Sequence, residues 1–192
     1  MKKLAITFLL FTSFASAQSR AIWNFYSQFP WGPPTNIFTG SMQTETLYVN
    51  EIDLAQGDSI TLGQATFNAL AKNASTSMLV CFYRDLLTAP AAQNLVAISQ
   101  TGPITVSAIN NLFSGTFYFA YVQTGGPALA TESFTEGVYP QMSALWNHNL
   151  VRWGVSANYV AGGGCPASLG PLTAVKTTSN FPVFLLEAVP SK

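Results

Sequence analysis

Charge is the scarcest property of this chain. Only 8% of its 192 residues are Asp, Glu, Lys or Arg, against roughly a quarter in ordinary soluble domains. No basic block exists that could neutralise a run of phosphates, which argues against nucleic acid as a partner. The single His, His148, sits between Asn147 and Asn149. Catalysis that needs an imidazole therefore has one candidate, and no Gly-x-Ser-x-Gly turn accompanies it. The two cysteines, Cys81 and Cys165, lie far apart and, with one His, fall short of any standard metal-ligand set. Nothing in the sequence asks for a cofactor. Beyond the N-terminus no apolar run is long enough to predict a transmembrane segment in the mature chain.

What is present begins with an address. Lys2 and Lys3, the apolar run from Leu4 to Phe14 and the small triplet Ala15-Ser16-Ala17 are the three parts of a secretory signal peptide over residues 1–17, predicting an exported chain that starts at Gln18. Residues 18–192 then read as one domain of about 175 residues, long enough to bury a sizeable core. Without the signal lysines, six basic and eight acidic residues remain, a net charge of about −2. So few charges give little repulsion between copies, the main compositional pointer to assembly. After export both cysteines meet an oxidising environment in which an even pair closes, so a Cys81–Cys165 disulfide is predicted. Closing so long a loop corresponds to roughly 4 to 5 kcal/mol in the chain-entropy picture.

Period-two alternation with β-branched and aromatic residues, broken by Gly, Pro and Asn, predicts many short strands. The candidates are Thr46–Leu54, Ser59–Leu62, Ser77–Arg84, Asn94–Ser99, Ile104–Ile109, Thr116–Gln123, Val151–Val160 and Pro182–Val189. From Ile104 to Val122 the pattern reads as a strand, a turn at Ser114-Gly115 and an aromatic strand in which Phe117, Phe119 and Tyr121 alternate with Tyr118, Ala120 and Val122. That arrangement resembles immunoglobulin-like and prealbumin-like sandwiches, and implies architecture only. One stretch departs from it. Tyr139, Met142, Trp146, Leu150 and Trp153 recur at helical spacing, and Pro140 suits a first turn, so a short helix is predicted near 140–149. The glycines at 162–164 and Pro166 place Cys165 in a loop. The expected fold is an all-β antiparallel sandwich with that one helix.

The candidates for chemistry are thin. Asp85, Glu132 and Glu136 are carboxylates without the spacing of a glycosidase pair. Asn50, Glu51, Asp53, Gln56 and Asp58 gather hard oxygens but lack the EF-hand pattern, and no metal site is assigned. Glu51 and Asp53 read more simply as charges on the solvent face of a strand. Trp31, Trp146 and Trp153 are candidate aromatics for stacking on sugar rings, by analogy with carbohydrate-binding sandwiches. Trp23, Phe25 and Phe29 share one face of an alternating segment at the mature N-terminus, a candidate assembly strand that could complete a neighbour's sheet. The leading expectation is an exported, non-enzymatic structural or self-assembling protein of the cell surface, periplasm or extracellular space. Its partners would be copies of itself or other surface proteins. A carbohydrate- or ligand-binding module, with glycans as partners, comes second and a secreted hydrolase third.

Overall fold

The strand Ser59–Ala69 buries Ile60, Leu62, Ala65, Phe67 and Ala69, an alternation that skips one step at Gly63 and thereby sets the geometry of a whole sheet. The computed structural model describes residues 23–26, 38–41, 43–54, 57, 59–106, 109–128, 130–135, 152–174, 180–182 and 184–191. Sheet A holds β1 (Trp23–Tyr26), β2 (Phe38–Ser41), β4 (Ser59–Ala69), β7 (Gly102–Val106), β8 (Asn111–Ser114), β10 (Ala130–Thr135), β13 (Asn180–Pro182) and β14 (Phe184–Ser191). Sheet B holds β3 (Tyr48–Asp53), β5 (Asn73–Tyr83), β6 (Ala92–Ile98), β9 (Thr116–Thr124), β11 (Arg152–Ser156) and β12 (Leu172–Ala174). The protein is an all-β antiparallel sandwich, and no helix occurs among the described residues. The predicted signal peptide at 1–17 and the helix predicted near 140–149 lie outside them.

The predicted strand Ser59–Leu62 stopped short of Gly63. The strand instead runs on to Ala69, because β-bulges absorb the irregularity. Opposite Gly63 the register with β14 slips between Glu187 and Ala188. On the other side β7 pairs with Ala65–Ala69 and β8 with Ser59–Leu62, two halves of one interrupted strand. The Ile109 N–H donates to the Gly63 carbonyl at 3.2 Å within that interruption. Strand Val151–Val160 was predicted too long: β11 ends at Ser156, where the Ser156 hydroxyl donates to the Leu169 carbonyl at 2.7 Å and starts a loop.

The predicted hairpin at Ser114-Gly115 is corrected too. Its two arms pair in different sheets, β8 with β4 in sheet A and β9 with β3 and β5 in sheet B. Gly115, at φ +63°, is thus a corner where the chain crosses the sandwich, a backbone conformation glycine adopts without penalty. Local alternation is the same for a hairpin and an arch; only partners distant in sequence separate them.

Between the sheets lies the main core. Phe119 of β9 meets Phe184 of β14 edge-on at 4.9 Å, Tyr121 meets Phe184 at 4.8 Å, and Phe113 of β8 meets Phe117 at 4.9 Å. Offset or tilted rings at these separations add attraction beyond the area they bury. Asn50 is a polar residue in this layer, fully buried with its amide donating to the Phe119 carbonyl at 3.3 Å. Phe119, which also touches Phe82 at 5.0 Å, stitches the two sheets together. Phe119→Ala is expected to lower unfolding stability by about 3 to 5 kcal/mol, read from urea denaturation; a loss below about 1 kcal/mol would show that the inter-sheet core does not depend on this ring.

Candidate functional site

β5 and β9 are apolar on both faces. Met78, Val80, Phe82, Phe117, Phe119 and Tyr121 point into the sandwich, whereas Leu79, Cys81, Tyr83, Tyr118, Ala120 and Val122 point to the outer side of sheet B. An outer face so apolar needs a cover. The cover is the segment 157–171, which leaves β11, crosses the face and returns at β12. It contributes Leu169, fully buried, with Tyr159 and Cys165 packed against the same cluster. From the opposite direction Leu86 packs on that cluster, and its carbonyl accepts from Gly170 N–H at 2.9 Å.

Two anchors hold this strap. Cys81 of β5 and Cys165 are joined in a disulfide across 84 residues, with Cα atoms 6.0 Å apart. The bond thus ties a loop to the outside of one sheet and does not bridge the two sheets. Next to it the Tyr83 hydroxyl donates to the Pro166 carbonyl at 2.9 Å, and burial pushes that phenol well above its usual range. The second anchor is Glu45, in the turn before β3 with φ +55°. One carboxylate oxygen accepts from Thr124 Oγ1 at 2.8 Å and Gly125 N–H at 2.9 Å; the other accepts from the Tyr159 hydroxyl and Gly162 N–H, both at 2.8 Å. Desolvation alone would raise the pKa of Glu45. The four donors favour the charged form more strongly and bring it from 4.5 to about 2, the expected response of a carboxylate that accepts backbone amides. Gly125, with φ +68°, fits there because a Cβ would stand 2.5 Å from the Ser75 carbonyl oxygen.

The far margin of sheet B is β6, Ala-Gln-Asn-Leu-Val-Ala-Ile. Its register with β5 is unbroken from Ala92 to Ala97, and among the described residues no strand pairs along its other side. Gln93, Asn94, Leu95 and Ala97 are exposed, Leu95 to 59%. The neighbouring margin of sheet A is treated differently. There Pro103 sits in β7 with its carbonyl accepting from Gln100 at 3.2 Å, and the Leu112 carbonyl of β8 accepts from the Arg84 guanidinium at 3.3 Å. Proline, interruption and a capping cation are the usual means of blunting an edge. The sequence of β6 contains no proline and no charged residue.

The remaining predicted site residues scatter. Trp23 and Phe25 lie on β1, which pairs antiparallel with β14 at the margin of the chain's own sheet A. Phe29, Trp31 and Trp146 lie outside the described residues, as do Glu136 and His148. Trp153 lies on β11, where its backbone stands opposite Asn50 in the β11–β3 register. The oxygen cluster near 50 is divided by the strand alternation: Asn50 faces the core, while Asp53 accepts from the Thr116 hydroxyl at 2.6 Å. Among the described residues no three His, Cys, Asp or Glu side chains converge as a metal site. Asp85 is engaged in a turn. Its carboxylate accepts from the Thr88 hydroxyl and from the Leu87 and Thr88 amides, each at 2.8 Å, which holds its pKa below the usual value. Glu45 was missed by sequence reading, since its four donors come from segments about 80 and 115 residues away, and the only local hint is the abundance of glycine at 125–126 and 162–164.

No family model matches the chain, and no curated protein matches it. Among solved structures, a chain of the T=1 particles derived from infectious bursal virus is similar over 91% of this chain at 11% identity, with a TM-score of 0.29. This chain spans 41% of the length of that one. At that score the likeness bears on neither function nor assembly.

Two measurements test the anchors. The Glu45 contribution is present above pH 4.5 and lost as pH falls towards 2, because protonation removes the form that accepts all four bonds. Glu45→Gln is expected to cost on the order of 1 to 2 kcal/mol at neutral pH, allowing for solvent screening, with the difference from wild type vanishing near pH 2; a difference constant across that window in urea titrations would refute the assignment. Replacing both Cys81 and Cys165 with Ala is expected to cost about 3 to 5 kcal/mol and to open segment 157–171 to proteolysis before the sheets. Cleavage that begins instead within β5 or β9 would show that the disulfide does not act through the strap.

Proposed function

We propose that this chain is an exported, non-enzymatic structural protein that associates with copies of itself at a cell surface or in an extracellular assembly. The observation that carries the reading is β6, an edge strand without charge, proline or interruption beside a sheet margin that has such protection. Monomeric proteins blunt such edges, because they template pairing with another chain. The low charge of the whole chain acts in the same direction by lowering repulsion between copies.

Export is supported by the N-terminal pattern and is compatible with the Cys81–Cys165 disulfide, a bond that persists in oxidising compartments. Among the described residues no helix is long and apolar enough to cross a membrane. The non-enzymatic character rests on how the carboxylates are used. Glu45 and Asp85 hold turns, Asp53 accepts from Thr116, and Glu187 accepts from the Gln64 amide at 3.3 Å. Each acts as a structural acceptor within the fold. The carboxyl pKa values of Glu45 and Asp85 are both lowered, the opposite of the shift a general acid requires at neutral pH.

Sedimentation velocity on the purified exported chain, with the disulfide intact, tests this reading. The weight-average mass is expected to rise with concentration and to change little with added salt, since few charges are involved. A strictly monomeric protein at millimolar concentration would overturn it.

A further inference from the structure

We infer that the contact between copies is a two-fold, antiparallel pairing of β6 with β6 of a second copy, centred on Leu95, which joins two six-stranded sheets into one. This inference rests on the self-association proposed above and specifies its geometry.

Backbone groups along a strand edge are best satisfied by another strand, so the occupant that fits β6 is extended chain. A second copy supplies one with matching chemistry. A continuous sheet keeps each face on its own side, so residues that pair across a two-fold axis must face the same way. The inward side of β6 carries Ala92, Asn94, Val96 and Ile98, of which Ala92, Val96 and Ile98 pack towards the main core and Asn94 is exposed, while Gln93, Leu95 and Ala97 lie on the alternate, exposed face. Overlap of all seven residues under that rule is reached with the axis at Leu95. Leu95 then meets Leu95 of the second copy, Asn94 meets Val96, Gln93 meets Ala97, and Ala92 meets Ile98.

This register brings the most exposed apolar side chain of the strand against itself and opposes no charges, because β6 has none. An offset of two residues would shorten the ladder and leave Leu95 opposite Gln93 or Ala97. The adjacent edge of sheet A disfavours competing attachment: Pro103 lacks an N–H donor, and Arg84 lies over the Phe113 ring at 5.7 Å with its guanidinium on the Leu112 carbonyl. A seven-residue seam is small beside a standard protein interface. The single contact is accordingly weak, and gains strength where a surface holds many copies close together.

Cysteine cross-linking of the full exported chain decides the register. Under mild oxidation Leu95→Cys is expected to give a covalent dimer, since paired Cα atoms in an antiparallel ladder stand about 4.5 to 5.5 Å apart. Ala97→Cys, on the same strand, is expected to remain monomeric, because the two copies of residue 97 would stand more than about 13 Å apart. Leu87→Cys, in a loop and 80% exposed, controls for random collision. Leu95→Lys should weaken association at least about tenfold without unfolding the chain, checked by circular dichroism. A wild type that associates while Leu95→Cys fails to cross-link, or cross-links no faster than Ala97→Cys and Leu87→Cys, would overturn the β6 pairing and leave self-association standing. A wild type that never associates would overturn both.

Discussion

Sheet B is apolar on both sides, and the rest of the structure answers that constraint. Two strand segments, Met78–Tyr83 of β5 and Phe117–Val122 of β9, place aromatic and aliphatic groups alternately inward and outward without a polar residue between them. A sheet of an antiparallel sandwich ordinarily keeps one face wet. Here the inner face packs on sheet A, and the outer face is covered by a loop that has only a few apolar side chains of its own. The cover therefore needs anchorage beyond hydrophobic contact. The disulfide fixes its middle, Glu45 fixes its start, and Ser156 with Leu169 closes the loop on itself near β11.

Glu45 is effective because of what surrounds it. A carboxylate oxygen can accept more than one hydrogen bond, and here both oxygens accept two. The turn after β9, the loop after β11 and the turn before β3 meet at one charged group. A fully solvated carboxylate would gain little from the same donors; partial burial makes each bond count for more and makes an unpaired charge more costly. The same logic explains Tyr83, whose hydroxyl would be an orphan inside an apolar cluster without the Pro166 carbonyl. Both polar groups thus give orientation to a cover whose apolar contacts alone would permit sliding.

The two sheet margins on the β6–β7 side contrast in a way that composition alone does not capture. On sheet A the edge strand is broken between β7 and β8, includes Pro103 and is capped by Gln100 and Arg84. On sheet B the edge strand is continuous and uncharged. Low charge is a property of the whole chain; at β6 it coincides with a seven-residue edge that is also uninterrupted.

The sequence by itself determined that this would be an antiparallel β-protein, that Cys81 and Cys165 had a reason to pair, and that residues 116–123 would be a strand. Period-two alternation and cysteine parity are local or countable signals, legible without knowing any partner. Tertiary structure decided the rest. Whether Ser114-Gly115 made a hairpin or a corner depended on β4, more than forty residues earlier in the chain, and the strand predicted to end at Leu62 runs on past Gly63 because β14 bulges opposite it. Glu45 had no local signature, because its donors arrive from two distant loops. The outward face of β9 looked the same in sequence as its inward face. Which of the two would meet sheet A and which the strap was settled by pairing across long stretches of chain, since one row of alternating side chains specifies two faces without specifying what covers either.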